Sequence, residues 1–194
     1  MKKNTVFTWI FMIVLAAAII FGFIRVSNKK NEKNIETDGE QTEADKLLEK
    51  DILASYPATP REVIKLYSRF LKCFYNEEIE EGQLEGLAAQ IRLLFDDELL
   101  EENPKETYLL ALEAEIAEYK LNKRTLLSYQ IEKASSAIEW SDEGSEYTRL
   151  IAYYSLKESL VYKVHEEFVL RKDKADRWKI LGWRLVDKEE METN

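Results

Sequence analysis

The first pattern along the chain is an uninterrupted apolar run close to its start. Residues 6–24 (VFTWIFMIVLAAAIIFGFI) contain no charged side chain over 19 positions. At 1.5 Å per residue a helix of this length spans about 28 Å, close to the hydrocarbon thickness of a bilayer. The run therefore predicts an N-terminal transmembrane helix, preceded by a short tail of residues 1–5.

The flanks of this run bear on its processing and orientation. A secretory signal peptide has a shorter apolar core and ends in a small-x-small cleavage site, which Phe21–Arg25 does not offer. An uncleaved signal-anchor is therefore favoured over a cleaved signal. Basic residues lie on both sides, and the positive-inside rule slightly favours a cytoplasmic C-terminal domain. A short tail before a first apolar helix is instead the usual layout of an exported domain, and we predict a single-pass protein of the cell membrane whose C-terminal domain is extracytoplasmic.

A composition change separates the apolar run from the rest of the chain. Residues 25–44 almost lack apolar side chains, which predicts a flexible polar tether. Residues 45–188 have the balanced composition of a folded domain, and residues 189–194 form a polar C-terminal tail. The predicted order is therefore tail, anchor, tether, one soluble domain and tail.

The soluble domain opens with the 3.6-residue apolar period of amphipathic helices. After a short helix at about 45–55, Thr59–Glu62 has the pattern of a capping box with proline at the first helical position, and it starts the first clear helix. The next helix runs at about 80–101. A second capping-box pattern at Asn103–Glu106 starts another that ends near Asn122. The periodicity predicts three amphipathic helices after the short one.

Beyond Arg124 the apolar period changes from 3.6 to 2, which indicates strands. Four segments are predicted as strands and are separated by short polar turns: Leu126–Trp140, Tyr147–Glu158, Val161–Arg171 and Arg177–Asp187. Short turns between neighbouring strands indicate an antiparallel meander. Helices followed by such a sheet predict an α+β domain in which the helices cover one face of a four-stranded antiparallel sheet.

Charge and residue usage exclude several classes of function. The net charge is −9, and no basic stripe with interleaved aromatic residues is present, so the sequence does not predict nucleic-acid binding. One histidine and one cysteine make a zinc site improbable. No glycine-rich phosphate loop and no nucleophile-elbow pattern occurs. We predict no cofactor and no metal.

A few polar residues remain as candidates for chemistry. Glu166 falls on the apolar face of its predicted strand, where a desolvated carboxylate has a raised pKa and can act as a base. A bulge, an edge position or a basic partner would explain that position as well. His165 falls on the opposite, solvated face, and Cys73 reads as a small hydrophobe on its helix.

The tryptophans are candidates for a contact surface. Trp178 and Trp183 are five positions apart on one predicted strand, so strict alternation places them on opposite faces. Together with Trp140 they form the predicted contact surface, because exposed tryptophans are enriched where partners bind.

Two stretches carry a family resemblance. The order of long helices and four strands, ending in RWKILGW, resembles the nuclear-transport-factor-2-like (SnoaL-like) superfamily over roughly residues 57–188. The stretches YPATPREVIKLYSRFLKCFYNE (56–77) and RKDKADRWKILGW (171–183) resemble an uncharacterised, membrane-anchored domain-of-unknown-function family of Gram-positive anaerobes. The superfamily resemblance implies a curved sheet wrapped around helices as a cone with a cavity, used for isomerisation, cyclisation, dehydration or protein binding.

These observations lead to two hypotheses. The first is a non-enzymatic, membrane-tethered interaction or scaffold domain at the cell envelope, which contacts the lipid bilayer through residues 6–24 and other membrane or envelope proteins through its domain. The alternative is a small-molecule-binding or lyase/isomerase-type protein that uses the cone cavity, with Glu166 or a tyrosine as the working group. The absence of a recognisable catalytic constellation in the sequence favours the first.

Overall fold

The computed structural model describes residues 41–80 and 82–187. Within them lie five α-helices, one 3-10 turn and five β-strands in chain order: α1 (Glu43–Leu48), α2 (Pro60–Asn76), α3 (Gln83–Arg92), α4 (Asp97–Glu102), α5 (Lys105–Leu121), β1 (Thr125–Ile131), the 3-10 turn (Ala134–Ser136), β2 (Ile138–Asp142), β3 (Ser145–Lys157), β4 (Val161–Lys172) and β5 (Trp178–Leu185). Helices come first and strands follow, as the change in apolar period predicts.

One of the two predicted capping boxes forms. At the start of α2 the Thr59 hydroxyl accepts from the Glu62 N–H at 3.2 Å, and the Glu62 carboxylate accepts from the Thr59 N–H at 3.2 Å. Pro60 occupies the first turn, where its missing N–H costs nothing. The prediction at Asn103–Glu106 is wrong: α5 begins after Pro104, and no side chain caps it.

Helix α2 provides the centre of the core. Its apolar side follows the helical period, and Val63, Ile64, Phe70 and Phe74 are all fully buried. The helix packs against β1, β3 and β5 on one side and against α3 and α5 on the other. We call the sheet face that α2 covers the inner face, and the opposite face the outer face.

The sheet is antiparallel throughout, with the strand order β1-β3-β4-β5 and with β2 also paired to β3. Alternate residues of β3 from Thr148 to Leu156 are buried on the inner face, and the residues between them are partly exposed on the outer face. This alternation is that of a sheet covered by helices on one side only, as predicted.

The first predicted strand, Leu126–Trp140, is two strands. Both β1 and β2 pair with the same edge of β3, and the 3-10 turn separates them. At the break Glu132 donates its backbone N–H to the Ile151 carbonyl at 2.9 Å and accepts from the Ile151 N–H through its side chain at 3.1 Å. This closed pair replaces the regular ladder and lets the chain leave the sheet before β2 begins.

The predicted helix at about 80–101 is likewise broken. Phe95 forms a parallel bridge with Ile180 of β5, in which the Ile180 N–H donates to the Leu94 carbonyl and the Asp96 N–H donates to the Ile180 carbonyl, each at 2.8 Å. The segment between α3 and α4 therefore extends the sheet edge over one residue, and a continuous helix cannot do that.

The predicted fold class needs correction. The sequence predicts an N-terminal transmembrane helix, three amphipathic helices and a curved four-stranded sheet in a nuclear-transport-factor-2-like cone. In the described part of the chain the structure shows an α+β domain with five helices and a five-stranded antiparallel sheet. Among residues 41–80 and 82–187, no helix has both the length and the apolar character needed to cross a membrane, and residues 6–24 lie outside the described residues.

Candidate functional site

A bulge in β5 decides which side chains reach the inner face at the end of the sheet. In the pairing of β4 with β5 the register shifts at Leu181, which is skipped. The extra residue resets the two-residue alternation, so Trp178 and Trp183 both turn to the inner face. Trp178 is buried in the core, while the Trp183 ring lies 5.3 Å from the Tyr67 ring and is 39% exposed. Their predicted placement on opposite faces is wrong for this reason.

Glu166 lies on the inner face of β4, as its sequence position predicts. It stands between Ala152 of β3 and Leu185 of β5 in the sheet register. The residue is half-buried, and its Oε2 atom is fully buried with no hydrogen-bond partner among the described residues. A buried carboxylate oxygen without a donor is costly, because burial removes water and nothing replaces it.

Aromatic side chains from two elements lie within the electrostatic range of this carboxylate. Tyr67 and Tyr75 come from α2, Tyr154 comes from β3, and the negative charge of Glu166 adds to the raised pKa of all three phenols, for which burial is the main cause. The Tyr154 hydroxyl lies 3.0 Å from Ser68 Oγ, and that pair is buried. With pKa values raised, the phenols stay neutral at physiological pH and act as hydrogen-bonding and apolar walls.

A second carboxylate comes from α5. Glu115 accepts a hydrogen bond from the Tyr75 hydroxyl at 2.7 Å and is itself exposed. Burial and, to a smaller extent, the negative charge of Glu115 together raise the pKa of Glu166 to about 7. At this value both the ionised and the protonated forms of Glu166 are present near neutral pH, so the group can accept or release a proton.

Solvent reaches the cluster beside the end of β5. Trp183 is 39% exposed and Leu185, the sheet neighbour of Glu166, is 68% exposed. Small-molecule sites are lined mainly by apolar and aromatic side chains with a few polar groups, and this cluster has that composition. We define the Glu166 site by six side chains: Glu166, Glu115, Tyr67, Tyr75, Tyr154 and Trp183.

The other candidate residues lie elsewhere. His165 is on the outer face, where its ring meets the Tyr153 ring edge-on at 5.3 Å in an open trough of about 810 Å³. Cys73 is buried on α2, and burial raises the pKa of its thiol to about 12, so that no reactive thiolate forms at neutral pH. Trp140 lies on β2, 39% exposed and stacked on Tyr147 at 5.4 Å.

Glu166 is predicted from the sequence, whereas Glu115 is not among the predicted site residues. A usable signal was present, because Tyr108, Leu112, Glu115 and Tyr119 follow one another at helical spacing and place a carboxylate among apolar positions of α5. Within the described part of the chain, no group of three or more His, Cys, Asp or Glu side chains is arranged to hold a metal ion. The chemistry available at the site is therefore that of two carboxylates and several phenols.

Comparison with known proteins places the chain in a family without assigning an activity. No curated protein matches the chain. A family model described as a domain of unknown function, DUF6715, matches residues 1–183, which include every element from α1 to β4 and most of β5. The chain therefore belongs to this family.

Proposed function

We propose that the domain binds a small ligand at the Glu166 site. The observation that carries the proposal is the buried Oε2 atom of Glu166, which has no hydrogen-bond partner among residues 41–80 and 82–187. Leaving such an atom unpaired costs roughly 1–3 kcal/mol, a cost that a purely structural glutamate would avoid by pairing. Because Glu166 as a whole is only half-buried, a rotation of its carboxylate can bring Oε2 to the exposed side, where a ligand that donates a hydrogen bond recovers this cost.

The neighbouring residue provides an internal comparison. Glu167, on the outer face of the same strand, is bonded by two arginines, Arg149 and Arg184, each at 3.1 Å. On one strand, therefore, the Glu167 carboxylate has two ion-pair partners, whereas the adjacent Glu166 carboxylate has an oxygen without a partner among the described residues. This contrast supports a binding role for Glu166 rather than a role in holding the sheet together.

An enzymatic version of the proposal uses the same residues. A carboxylate whose pKa is about 7 is suited to abstract a proton from a bound ligand, and neutral phenols nearby can stabilise the resulting charge. A lyase or isomerase would use Glu166 as this base. Binding is the part of the proposal that the geometry supports directly.

The test is a ligand screen on the full-length chain with two variants. Compounds of up to drug-like size, in cationic, neutral and anionic sets, are screened by ligand-observed NMR against the wild type, Glu166→Gln and Glu139→Gln. Glu139 is a matched control, an exposed strand glutamate on β2. We expect at least one compound whose affinity falls about tenfold or more in Glu166→Gln and is unchanged in Glu139→Gln. A screen in which the two variants bind every compound alike contradicts the proposal.

A second candidate function rests on a different surface. All five residues of β2 are exposed, and Ile138 and Trp140 are 47% and 39% exposed on this strand. Large apolar side chains on a strand that no helix covers are typical of a protein contact. We propose that the hairpin of β2 and β3 contacts a protein partner, which is the interaction or scaffold role inferred from the sequence.

Cross-linking in intact cells tests this second role. The full-length chain and two variants, Trp140→Ser and Leu160→Ser, are cross-linked, purified and compared by mass spectrometry. Leu160 is 78% exposed in the turn between β3 and β4 and serves as the apolar control. We expect a partner that is retained by the wild type and Leu160→Ser and lost in Trp140→Ser. Equal retention by all three chains removes the hairpin as the contact surface.

Location in the cell concerns other parts of the chain. The predicted lipid contact of residues 6–24, the position at the cell membrane and the extracytoplasmic orientation involve residues outside the described ranges, and they stay predictions. The predicted origin of the family in Gram-positive anaerobes is likewise a prediction. Either binding role is compatible with them.

A further inference from the structure

We infer that the ligand of the Glu166 site is an organic cation, an amine or ammonium group attached to a small apolar body. This inference rests on the proposed function and names the ligand class of the same site. It follows from the charges of the site, from the engagement of the nearby arginines and from the aromatic walls.

The charge of the site is negative. The negative charge of Glu115 acts on Glu166 and raises the pKa of Glu166. Neither carboxylate forms an ion pair with a lysine or arginine among the described residues. An anionic ligand entering this site would be repelled by both carboxylates. A neutral donor could bond Glu166 Oε2 but would leave the negative charge uncompensated.

The two arginines that lie over tyrosine rings of α5 are engaged outside the site. Arg92 lies over the Tyr108 ring at 5.2 Å and donates to the Asn103 carbonyl at 2.6 Å. Arg124 lies over the Tyr119 ring at 4.9 Å and pairs with two glutamates, Glu118 and Glu158. These arginines therefore do not neutralise the two carboxylates of the site.

The walls of the site favour a cation as well. The Tyr67 and Trp183 rings are 5.3 Å apart and tilted by 52°, and the Tyr75 ring stacks on the Tyr119 ring at 3.8 Å. Electron-rich ring faces attract ammonium groups, and tryptophan does so most strongly. Trp183 is the exposed member of this set, so its ring is available to an entering ligand.

The site also predicts how binding changes with pH. Among the described residues, the titratable side chains that interact electrostatically with Glu166 include Tyr67 and Tyr75 from α2, Glu115 from α5 and Tyr154 from β3. The phenols stay neutral between pH 6 and pH 8, so Glu166, with a pKa of about 7, is the group whose charge changes most in this range. The ionised fraction rises about tenfold from pH 6 to pH 8, and the affinity for a cation should rise by about the same factor.

Three isosteric probes separate charge from shape. The cation 3,3-dimethylbutylammonium, its neutral analogue 3,3-dimethylbutan-1-ol and the anion 3,3-dimethylbutyrate share one branched end and differ in charge, and the ammonium group carries N–H donors for Glu166 Oε2. Each is titrated by calorimetry into the full-length chain at pH 6 and pH 8 and at constant ionic strength. The variants are Glu166→Gln, Glu115→Gln and the exposed control Glu139→Gln, with thermal unfolding to show that each variant is folded.

We expect the ammonium compound to bind more tightly than the alcohol and the carboxylate, with an affinity about tenfold higher at pH 8 than at pH 6. Glu166→Gln should remove most of the binding and all of its pH dependence, and Glu115→Gln should weaken binding several-fold. Glu139→Gln should change neither.

The outcomes separate this inference from the proposed function. Equal binding of the alcohol or the carboxylate, lost in Glu166→Gln, overturns the cationic ligand class and leaves ligand binding at the site intact. Failure of all three probes, together with a screen in which no compound depends on Glu166, removes both. Binding of the ammonium compound that is unaffected by Glu166→Gln overturns the inference, because the charge recognised would then lie elsewhere.

Discussion

Replacing Asp96 with alanine should lower the free energy of unfolding by about 3 kcal/mol. The Asp96 side chain is buried and accepts two hydrogen bonds from Arg171, one of them from Nε at 3.1 Å. It also accepts from the Glu98 N–H at 3.1 Å and so caps α4. The substitution removes the cap and leaves a guanidinium, 25% exposed in its side chain, without its buried acceptor. Partial exposure of Arg171 keeps the expected loss near the lower end of the range for a broken buried pair.

The same arginine provides the control. Glu98 Oε2 lies 3.3 Å from Arg171 Nη1, but the Glu98 side chain is 59% exposed. Ion pairs in water contribute little, so Glu98→Ala should cost less than about 1 kcal/mol. Urea denaturation of both variants, followed by circular dichroism, measures the difference. Similar losses in the two variants would show that the buried pair does not hold the α3–α4 segment to the sheet.

Replacing Glu166 with glutamine should stabilise the protein above pH 7 by about 2 kcal/mol. The pKa of Glu166 is raised from the ordinary 4.5 to about 7, so between these values the folded state binds more protons than the unfolded state. The stability of the wild type therefore falls as pH rises from about 4.5 to about 7, because the folded protein must release that proton. Converted in full, this pKa shift corresponds to about 3 kcal/mol of unfolding free energy. The expected value is smaller because Glu166 is partly exposed to solvent.

Glutamine has nearly the shape of a protonated glutamate and cannot ionise, so the variant should lack this part of the pH dependence. Unfolding free energies measured at pH 5, 6, 7 and 8 for the wild type, Glu166→Gln and Glu139→Gln give the comparison. We expect the curve of Glu139→Gln to follow the wild type and that of Glu166→Gln to separate from both as pH rises. Parallel curves for all three proteins would mean that Glu166 ionises as freely in the folded state as in water.

The features that the sequence predicted well depend on residues close together in the chain. The capping box at Thr59–Glu62 needs only four consecutive residues, and it forms as predicted. Glu166 was found because alternation along one strand places it among apolar neighbours. In both cases the information is contained within a few positions, and no distant contact alters it.

The features that were not predicted from the sequence depend on contacts between residues far apart in the chain. The helix at about 80–101 is broken because Phe95 pairs with Ile180, and the strand at Leu126–Trp140 is broken where Glu132 bonds Ile151. Neither partner is visible in the local periodicity. The Glu166 site likewise depends on residues far apart in the chain. Glu115 comes from a helix and Glu166 from a strand, and the packing of the whole domain brings these two elements together.

The division of the first predicted strand into β1 and β2 also bears on solubility. A long, flat sheet edge offers unpaired N–H and C=O groups to another chain and promotes aggregation. Here one edge consists of strands of 7 and 5 residues, interrupted by a 3-10 turn beside the charged Glu132 and Lys133. The other edge is partly paired by the segment at Phe95. In the part of the chain that the structure describes, these interruptions leave no long uninterrupted edge on which a second chain could add a strand.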